Sequence, residues 1–230
     1  MTNRRNNEAV ETFLLVLAAL FPVVNPPGAA LVFLSMTKYA SADTRRSLAR
    51  RVALNAFFVM AGSLLVGAFI LRIYGISVPV LRVAGGIIVA MSGWTLLNEG
   101  TPKATDEPAA EVRQTDYASQ AFYPLTLPLT TGPGTIAVMI SLGLSRSAYS
   151  DRTEDLRFAA ASLFAAIVMA AAIYVCFAYS DRVERLLGRG GTDITVRLSA
   201  FILFCLGIQI IWTGASDLLG SVLSPGNLAK

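Results

Sequence analysis

Six long apolar blocks separated by polar connections dominate this sequence. Each is close to or above the ~20 residues with which a helix crosses a hydrocarbon core of ~30 Å. Since 54% of the residues are hydrophobic and only 15% are charged, the chain is far more apolar than a soluble domain. The blocks predict an all-α polytopic membrane protein with six transmembrane segments, over residues 9–37, 52–73, 78–97, 121–144, 158–179 and 194–219.

The positive charge of the chain is explained by topology. A net charge of +4 would indicate a nucleic-acid partner in a soluble protein, but here Lys and Arg lie at the ends of apolar blocks. We therefore expect contact with membrane lipid and none with nucleic acid. The connections after the first, third and fifth blocks hold ten Lys and Arg, against seven on the other side, and the densest cluster runs from Lys38 to Arg51. This bias predicts a cytoplasmic cluster and both termini outside.

Composition excludes several kinds of chemistry. The chain has no histidine, so it has no Ser/His or Cys/His pair and no imidazole ligand for a metal. Cys176 and Cys205 lie in different apolar blocks, and we interpret both as packing residues. We expect no enzyme activity, no metal site and no cofactor.

A polar, acidic segment divides the chain into two halves. Residues 99–120 contain two prolines and most of the charge between the third and fourth blocks, which is typical of a flexible linker. We predict a first three-helix unit over residues 1–98 and a second over 121–230.

The two halves resemble each other where each begins. "FPVVNPPGAALVFLSM" (Phe21 to Met36) aligns without a gap on "LPLTTGPGTIAVMISL" (Leu127 to Leu142). The last blocks, "LRVAGGIIVAMSGW" from Leu81 and "VRLSAFILFCLGIQ" from Val196, also align. Because each half holds three segments, the second must enter the membrane from the opposite side. The sequence predicts two inverted repeats, an architecture common in secondary transporters.

The first and fourth segments are each broken in the middle. Asn25 is a favourable N-cap, and Pro26 and Pro27 fall where a missing N–H is tolerated; Thr131, Gly132 and Pro133 predict a similar cap and first turn in the second half. We expect backbone N–H groups without partners at Gly28, Ala29 and Ala30, and at Gly134, Thr135 and Ile136. Such donors persist in hydrocarbon only where they line a cavity or meet a ligand.

Two converging helix N-termini predict a site for a carboxylate at mid-membrane. The predicted substrate-binding residues lie at the two breaks: Asn25, Pro26, Pro27, Gly28, Ala29, Thr130, Thr131, Gly132, Pro133, Gly134 and Thr135. Asn55 and Gln209 are the polar side chains within apolar blocks that are most costly to leave unpaired, and we predict that they line the pathway. The sequence leaves open whether Na⁺ or H⁺ is a coupling ion and whether the chain forms a homo-oligomer.

Other functions are compatible with the same pattern. An ion or small-anion channel would use the breaks as a constriction. In a lipid-handling or structural membrane protein, the breaks would be simple proline kinks.

The motifs "FPVVNPPG", "PLTLPLTTGPGTI" and "AGGI" together resemble the MarC family of bacterial and archaeal inner-membrane proteins, a relative of the LysE-type exporters. The resemblance covers residues 12–219. It implies a multi-pass protein of the bacterial inner membrane that transports small neutral amino acids such as glycine and alanine. It also implies that the substrate lies at the two broken helices.

Overall fold

The fold is helical, as predicted. The computed structural model describes residues 2–99, 121–146 and 152–223, and no strand occurs in these ranges. Of the predicted linker 99–120, only Glu99 belongs to the described residues. The helices are α1 (Thr2–Val24), α2 (Pro26–Met36), α3 (Ala42–Tyr74), α4 (Val78–Glu99), a π-helical segment (Leu125–Thr130), α5 (Pro133–Arg146), α6 (Arg152–Ala178) and α7 (Ser180–Leu223).

Five stretches of the described chain are long and apolar enough to cross a membrane. They are Glu8–Met36, Ala42–Tyr74, Val78–Asn98, Thr153–Ala178 and Asp193–Ser221. The predicted fourth segment differs, because its apolar helix covers only Pro133–Leu144. The first part of the predicted segment 121–144 is not an α-helix, because residues 121–124 form turns and the π segment follows. The count of six spans stays a prediction.

Capping residues define both ends of α3, Ser41 before its first turn and Gly75 after its last. The Ser41 hydroxyl accepts a hydrogen bond from the Thr44 N–H (3.1 Å), which satisfies a donor of the first turn. At the other end Gly75 has φ 65°, a left-handed conformation that glycine adopts without strain, and its N–H returns to the Arg72 carbonyl. Only Ile76 and Ser77 then separate this cap from α4.

Contacts between the two halves follow a symmetric pattern. The second helices α3 and α6 contact each other, and so do the third helices α4 and α7. The contact of α2 with α6 has its counterpart in α5 with α3, and that of α2 with α7 in α5 with α4. The contact of α1 with α6 has only a smaller counterpart, between the π segment and α3.

The interface of α4 with α7 is a backbone-to-backbone seam. A Cβ added to Gly86 would lie 2.9 Å from the Gly207 carbonyl oxygen, and one added to Gly207 would lie 2.3 Å from the Ala90 nitrogen. No side chain larger than hydrogen fits at these points. Small residues of this kind let transmembrane helices approach closely, which strengthens their dispersion contacts.

The two ends of the bundle are marked by different ion pairs. Near the start of α3, Arg45 is 7% exposed and pairs with Asp181 at the start of α7. At the opposite end, Arg82 of α4 pairs with Asp217 near the end of α7 (2.7 Å). Both pairs join the first half to the second.

Candidate functional site at the two helix breaks

The first break is a single left-handed residue. Asn25 has φ 45° and ψ 61°, and its N–H still donates to the Phe21 carbonyl of α1 (2.8 Å). Its side-chain Oδ1 accepts from the Gly28 N–H (3.3 Å), and its carbonyl accepts from Ala29 (2.9 Å). Asparagine is the non-glycine residue best suited to this combination of a left-handed backbone and a cap. The prediction of Asn25 as an N-cap is confirmed.

The expectation of free donors at the first break is wrong. Of the first three residues of α2, Pro26 and Pro27 have no N–H, and the N–H of Gly28 is capped by Asn25. The Ala29 N–H is bonded as well. This helix N-terminus therefore presents no unpaired backbone donor at Gly28 or Ala29.

The second break is preceded by π-type backbone. The N–H groups of Leu127, Leu129 and Thr131 each donate to the carbonyl five residues earlier, at 2.8, 3.3 and 2.8 Å. Pro128 cannot donate, which interrupts the α-helical pattern of hydrogen bonds. Hydroxyl groups of threonines support this segment in the same register: Thr126 to Ala121, Thr130 to Leu125 and Thr131 to Thr126, at 2.7, 2.7 and 3.3 Å.

Thr131 does not cap α5, which corrects the prediction from the alignment with Asn25. Its hydroxyl is used by the π segment, and the N-cap role passes to Gly132, whose carbonyl accepts from the Ile136 N–H (3.2 Å). The expected free donor at Ile136 is therefore wrong as well. Nothing among the described residues accepts from the N–H groups of Gly134 and Thr135, or bonds to the Thr135 hydroxyl.

A small cavity of about 70 Å³ adjoins these free groups. Its volume is that of a few water molecules, which favours a ligand of a few heavy atoms. The second break and the π segment line one side, and helices α4 and α7 line another. The lining residues are Val23, Ile88, Val89, Ser92, Leu129, Thr130, Gly132, Pro133, Gly134, Thr135 and Leu203. None of them is charged.

The cavity lies where the two halves meet. Val23 and Leu129 occupy the same position in the aligned first segments, and Ile88 and Leu203 in the aligned third segments. Because both residues of each aligned pair line the cavity, the two halves of the chain share it. Val23 also approaches the second break directly, since its Cγ1 lies 3.6 Å from where a Cβ on Gly134 would be.

The residues of the two breaks contribute unequally to this cavity. Thr130, Gly132, Pro133, Gly134 and Thr135 line it, whereas the predicted residues Asn25 to Ala29 do not. The first break contributes only its preceding turn, through Val23.

The two residues that we predicted to line the pathway, Asn55 and Gln209, lie in different parts of the structure. Asn55 lies half-buried on α3 and lines neither this cavity nor the groove in which Gln209 lies. Gln209 lines that second, larger cavity beside α5. The described residues contain no group of three or more Cys, Asp and Glu that could hold a metal ion.

Several lining residues were missed by the sequence reasoning. Val89 and Ser92 come from α4, and Leu203 comes from α7, more than 60 positions from the second break. Ser92 is a polar residue within an apolar block, a signal that was available; its hydroxyl donates to the Ile88 carbonyl (2.8 Å). The apolar residues that line the cavity have no feature in the sequence that distinguishes them from other apolar residues of their helices.

Arg45 was interpreted as a loop charge, but it is buried. Its Nε donates to the Thr37 hydroxyl (3.2 Å) and its Nη2 to the Thr37 carbonyl (3.0 Å), in addition to its pairing with Asp181. The helical spacing of Arg45 with the buried Leu48, Ala49 and Val52 places it on the inner face of α3. This helical spacing was the signal in the sequence that Arg45 is buried.

Comparison with known proteins gives consistent matches over most of the chain. The family described as MarC family integral membrane protein matches residues 10–219. The inner membrane protein MarC of Salmonella paratyphi A is 31% identical over 210 residues, covering 89% of this chain and 94% of the relative. A membrane protein of Archaeoglobus fulgidus is 31% identical and covers 91% and 95%, and the MarC protein of an Escherichia coli strain is 32% identical and covers 89% and 94%. No solved structure matches the chain.

Proposed function

Because this chain belongs to the MarC family of integral membrane proteins, we propose that it is an inner-membrane secondary transporter of small neutral amino acids. The substrate class is one such as glycine or alanine, and the substrate binds in the cavity at the second break. Alternating access of two inverted repeats of three helices moves it across the membrane.

One observation carries this proposal: three free donors lie at the edge of a small uncharged cavity shared by both halves. They are the N–H groups of Gly134 and Thr135 and the Thr135 hydroxyl. The N-terminus of a helix of this length favours an anionic group. A carboxylate that accepts these bonds replaces the water that the donors lose inside the membrane.

The size and charge of the cavity favour a small neutral amino acid. A volume of about 70 Å³ leaves little room for a side chain beyond a methyl group. The absence of charge among its lining residues disfavours a charged side chain, which would be left unpaired there. The recurring contacts between the halves support the exchange of conformations that alternating access needs.

Counterflow in proteoliposomes tests the proposal. Vesicles preloaded with unlabelled alanine or glycine should accumulate the labelled amino acid transiently above equilibrium, because a carrier exchanges substrate across the membrane. A channel would only equilibrate the label. Absence of counterflow with both amino acids, in vesicles that contain folded protein, would contradict the proposal.

A pair of variants connects transport to the site. Thr135→Val removes the free hydroxyl and keeps the shape, so we expect kcat/KM to fall by about 2- to 12-fold, the equivalent of one hydrogen bond of about 0.5–1.5 kcal/mol. Thr95→Val, at an exposed position of α4, is the matched control and should transport normally. Equal activities of the two variants would argue against binding at Thr135.

A further inference from the structure

A second cavity lies further along α5, beyond the point where Gly85 of α4 packs against Ala137. We call it the Arg82 groove; it has a volume of about 250 Å³, and its polar lining residues are Arg82, Ser141, Gln209 and Thr213. Residues Pro133 to Thr135 of α5 line the break cavity, and Ala137 and Val138, on the next turn, line the groove. The groove therefore lies between the break cavity and the end of the bundle marked by the Arg82–Asp217 pair.

The polar groups of the groove are unusual for a surface within the membrane. The Gln209 carboxamide has no hydrogen-bond partner in the described ranges, and Gln209 lies ~12 Å along α7 from Asp217. An unpaired amide facing lipid tails is costly, and polar residues at this depth normally face a water-filled cavity. Thr213, one turn further along α7, lines the same groove. These residues indicate that the groove holds water or a polar ligand.

Arg82 supplies the positive charge of the groove. Its side chain is 26% exposed, and its Nη1 donates to Asp217 Oδ2 (2.7 Å). The Nε and Nη2 groups make no hydrogen bond within the part of the chain that the structure describes. A guanidinium held at one end by a carboxylate keeps its remaining donors directed for a second acceptor, and carboxylates are its best-matched partners.

We propose that the Arg82 groove is a vestibule that binds the carboxylate of a small solute before it moves to the break cavity. Arg82 binds the carboxylate, and the Gln209 carboxamide offers a donor beside it, whereas the Thr213 hydroxyl donates to the Gln209 backbone carbonyl (2.9 Å). That the solute is an amino acid rests on the proposed function, whereas carboxylate binding itself rests on the groove alone. The aligned Arg197 has no such role, because it bonds to Asp193 (3.0 Å) and to the Leu97 carbonyl (3.4 Å).

Cysteine labelling tests the vestibule without requiring transport. In a background where both native cysteines, Cys176 and Cys205, are replaced by alanine, Thr213→Cys places a thiol in the groove. Membrane-impermeant thiosulfonates, one with a sulfonate and one with a trimethylammonium group, are applied from the side that carries the termini. We expect Thr213→Cys to react, and to react faster with the anionic reagent relative to a free thiol in solution.

Charge variants identify the source of this preference. Arg82→Gln should lower the ratio of anionic to cationic labelling about threefold or more, because a unit charge acts strongly over a few ångströms at low dielectric. Asp217→Asn should raise the ratio, since it removes the counter-charge. Arg197→Gln is the matched control from the other half and should leave it unchanged. Ile208→Cys, exposed but outside the groove lining, is expected to face lipid and to stay unreactive.

Added solutes that slow the labelling of Thr213→Cys identify the class of ligand. Protection by both acetate and alanine, but not by methylamine, supports a carboxylate site; protection by alanine alone supports a site for the complete amino acid. An unreactive Thr213→Cys, a ratio indifferent to Arg82→Gln, or labelling that no carboxylate slows would overturn the vestibule. Labelling with carboxylate protection in a protein that shows no counterflow would retain the vestibule and reject the proposed transport.

Discussion

The two helix breaks occupy aligned positions in the two halves, yet their donors are arranged in opposite ways. At the first break, two prolines and the Asn25 cap leave Gly28 and Ala29 with no free backbone donor. At the second, a single proline and a glycine cap leave the N–H groups of Gly134 and Thr135 free. The first break is therefore closed in hydrogen-bonding terms, and the second is open.

This difference teaches that an aligned pair of motifs need not make a symmetric site. The cavity lies where the halves meet, but its hydroxyl-bearing break residues come from the second half. Thr130 and Thr135 line it, whereas the aligned residues of the first half are Val24 and Ala29, which are buried and apolar. The second half supplies the threonines, whereas the polar lining residue of the first half is Ser92, whose hydroxyl is already bonded to the Ile88 carbonyl.

The largest effect is expected from filling the second break. A Cβ at Gly134 would lie 1.9 Å from Val89 Cγ2, a branched side chain that is 5% exposed and has little room to move. Gly134→Ala should lower counterflow by about tenfold or more, as overpacking costs about 1–3 kcal/mol. Gly62→Ala, with nothing within 4 Å, is the control for a glycine replaced in a helix. Full activity of Gly134→Ala would remove the reason to place the site there.

A change in the first break should act on stability rather than on binding. Asn25→Ala loses the side-chain cap and puts a Cβ without local hydrogen bonding into the left-handed region, a loss of about 1–2 kcal/mol. Asn25→Gly keeps the backbone conformation and should recover part of this loss. SDS titration of the folded protein in mixed micelles measures both, and KM for alanine should stay within about twofold. A large rise in KM without unfolding would mean that the first break binds substrate as well.

A hydroxyl moved to the first break should not replace the one lost from the second. Ala29→Ser puts an oxygen at the position aligned with Thr135, but Ala29 does not line the cavity. In the Thr135→Val background we therefore expect no recovery of kcat/KM, to within about twofold of the single variant. Recovery in counterflow assays would show that the two positions are interchangeable.

The smallest effects are expected at the aligned prolines. Pro27 and Pro133 are both exposed and lie in the first turn of their helices, where proline is favourable mainly because it restricts the unfolded chain. Pro27→Ala and Pro133→Ala should each lower the free energy of unfolding by less than about 1 kcal/mol in SDS titration. If Pro27→Ala abolished transport with unchanged stability, the assignment of the first break as structural would be wrong.

Local sequence predicted the first break well and the second only in part. Asn25, Pro26, Pro27 and Gly28 interact among neighbours, so rules for caps and prolines describe them correctly. Thr131 was assigned as a cap by alignment, but its hydroxyl is used by the π segment that precedes it. That competition depends on backbone geometry, which the alignment does not contain.

The apolar residues that line the cavity could not be predicted from the sequence. Ile88, Val89 and Leu203 resemble any other residues of their helices, and only the packing of α4 and α7 against the second break selects them. Gln209 was predicted to line the pathway because an amide inside an apolar block is costly to leave unpaired, and it lines the Arg82 groove, so its place in a pathway stays a prediction. Its association with the Arg82 groove required the fold.

The seam between α4 and α7 has a mechanical consequence. Where Gly86 and Gly207 meet, the two helix backbones are in contact, and the neighbouring Ile211 and Ala90 leave no room for a Cβ on either glycine. The same two helices are also joined by the Arg82–Asp217 ion pair and by the rings of Trp94 and Phe204, whose centroids lie 5.8 Å apart. A change in the angle between α4 and α7 must therefore break these contacts as well as the close packing at the glycines.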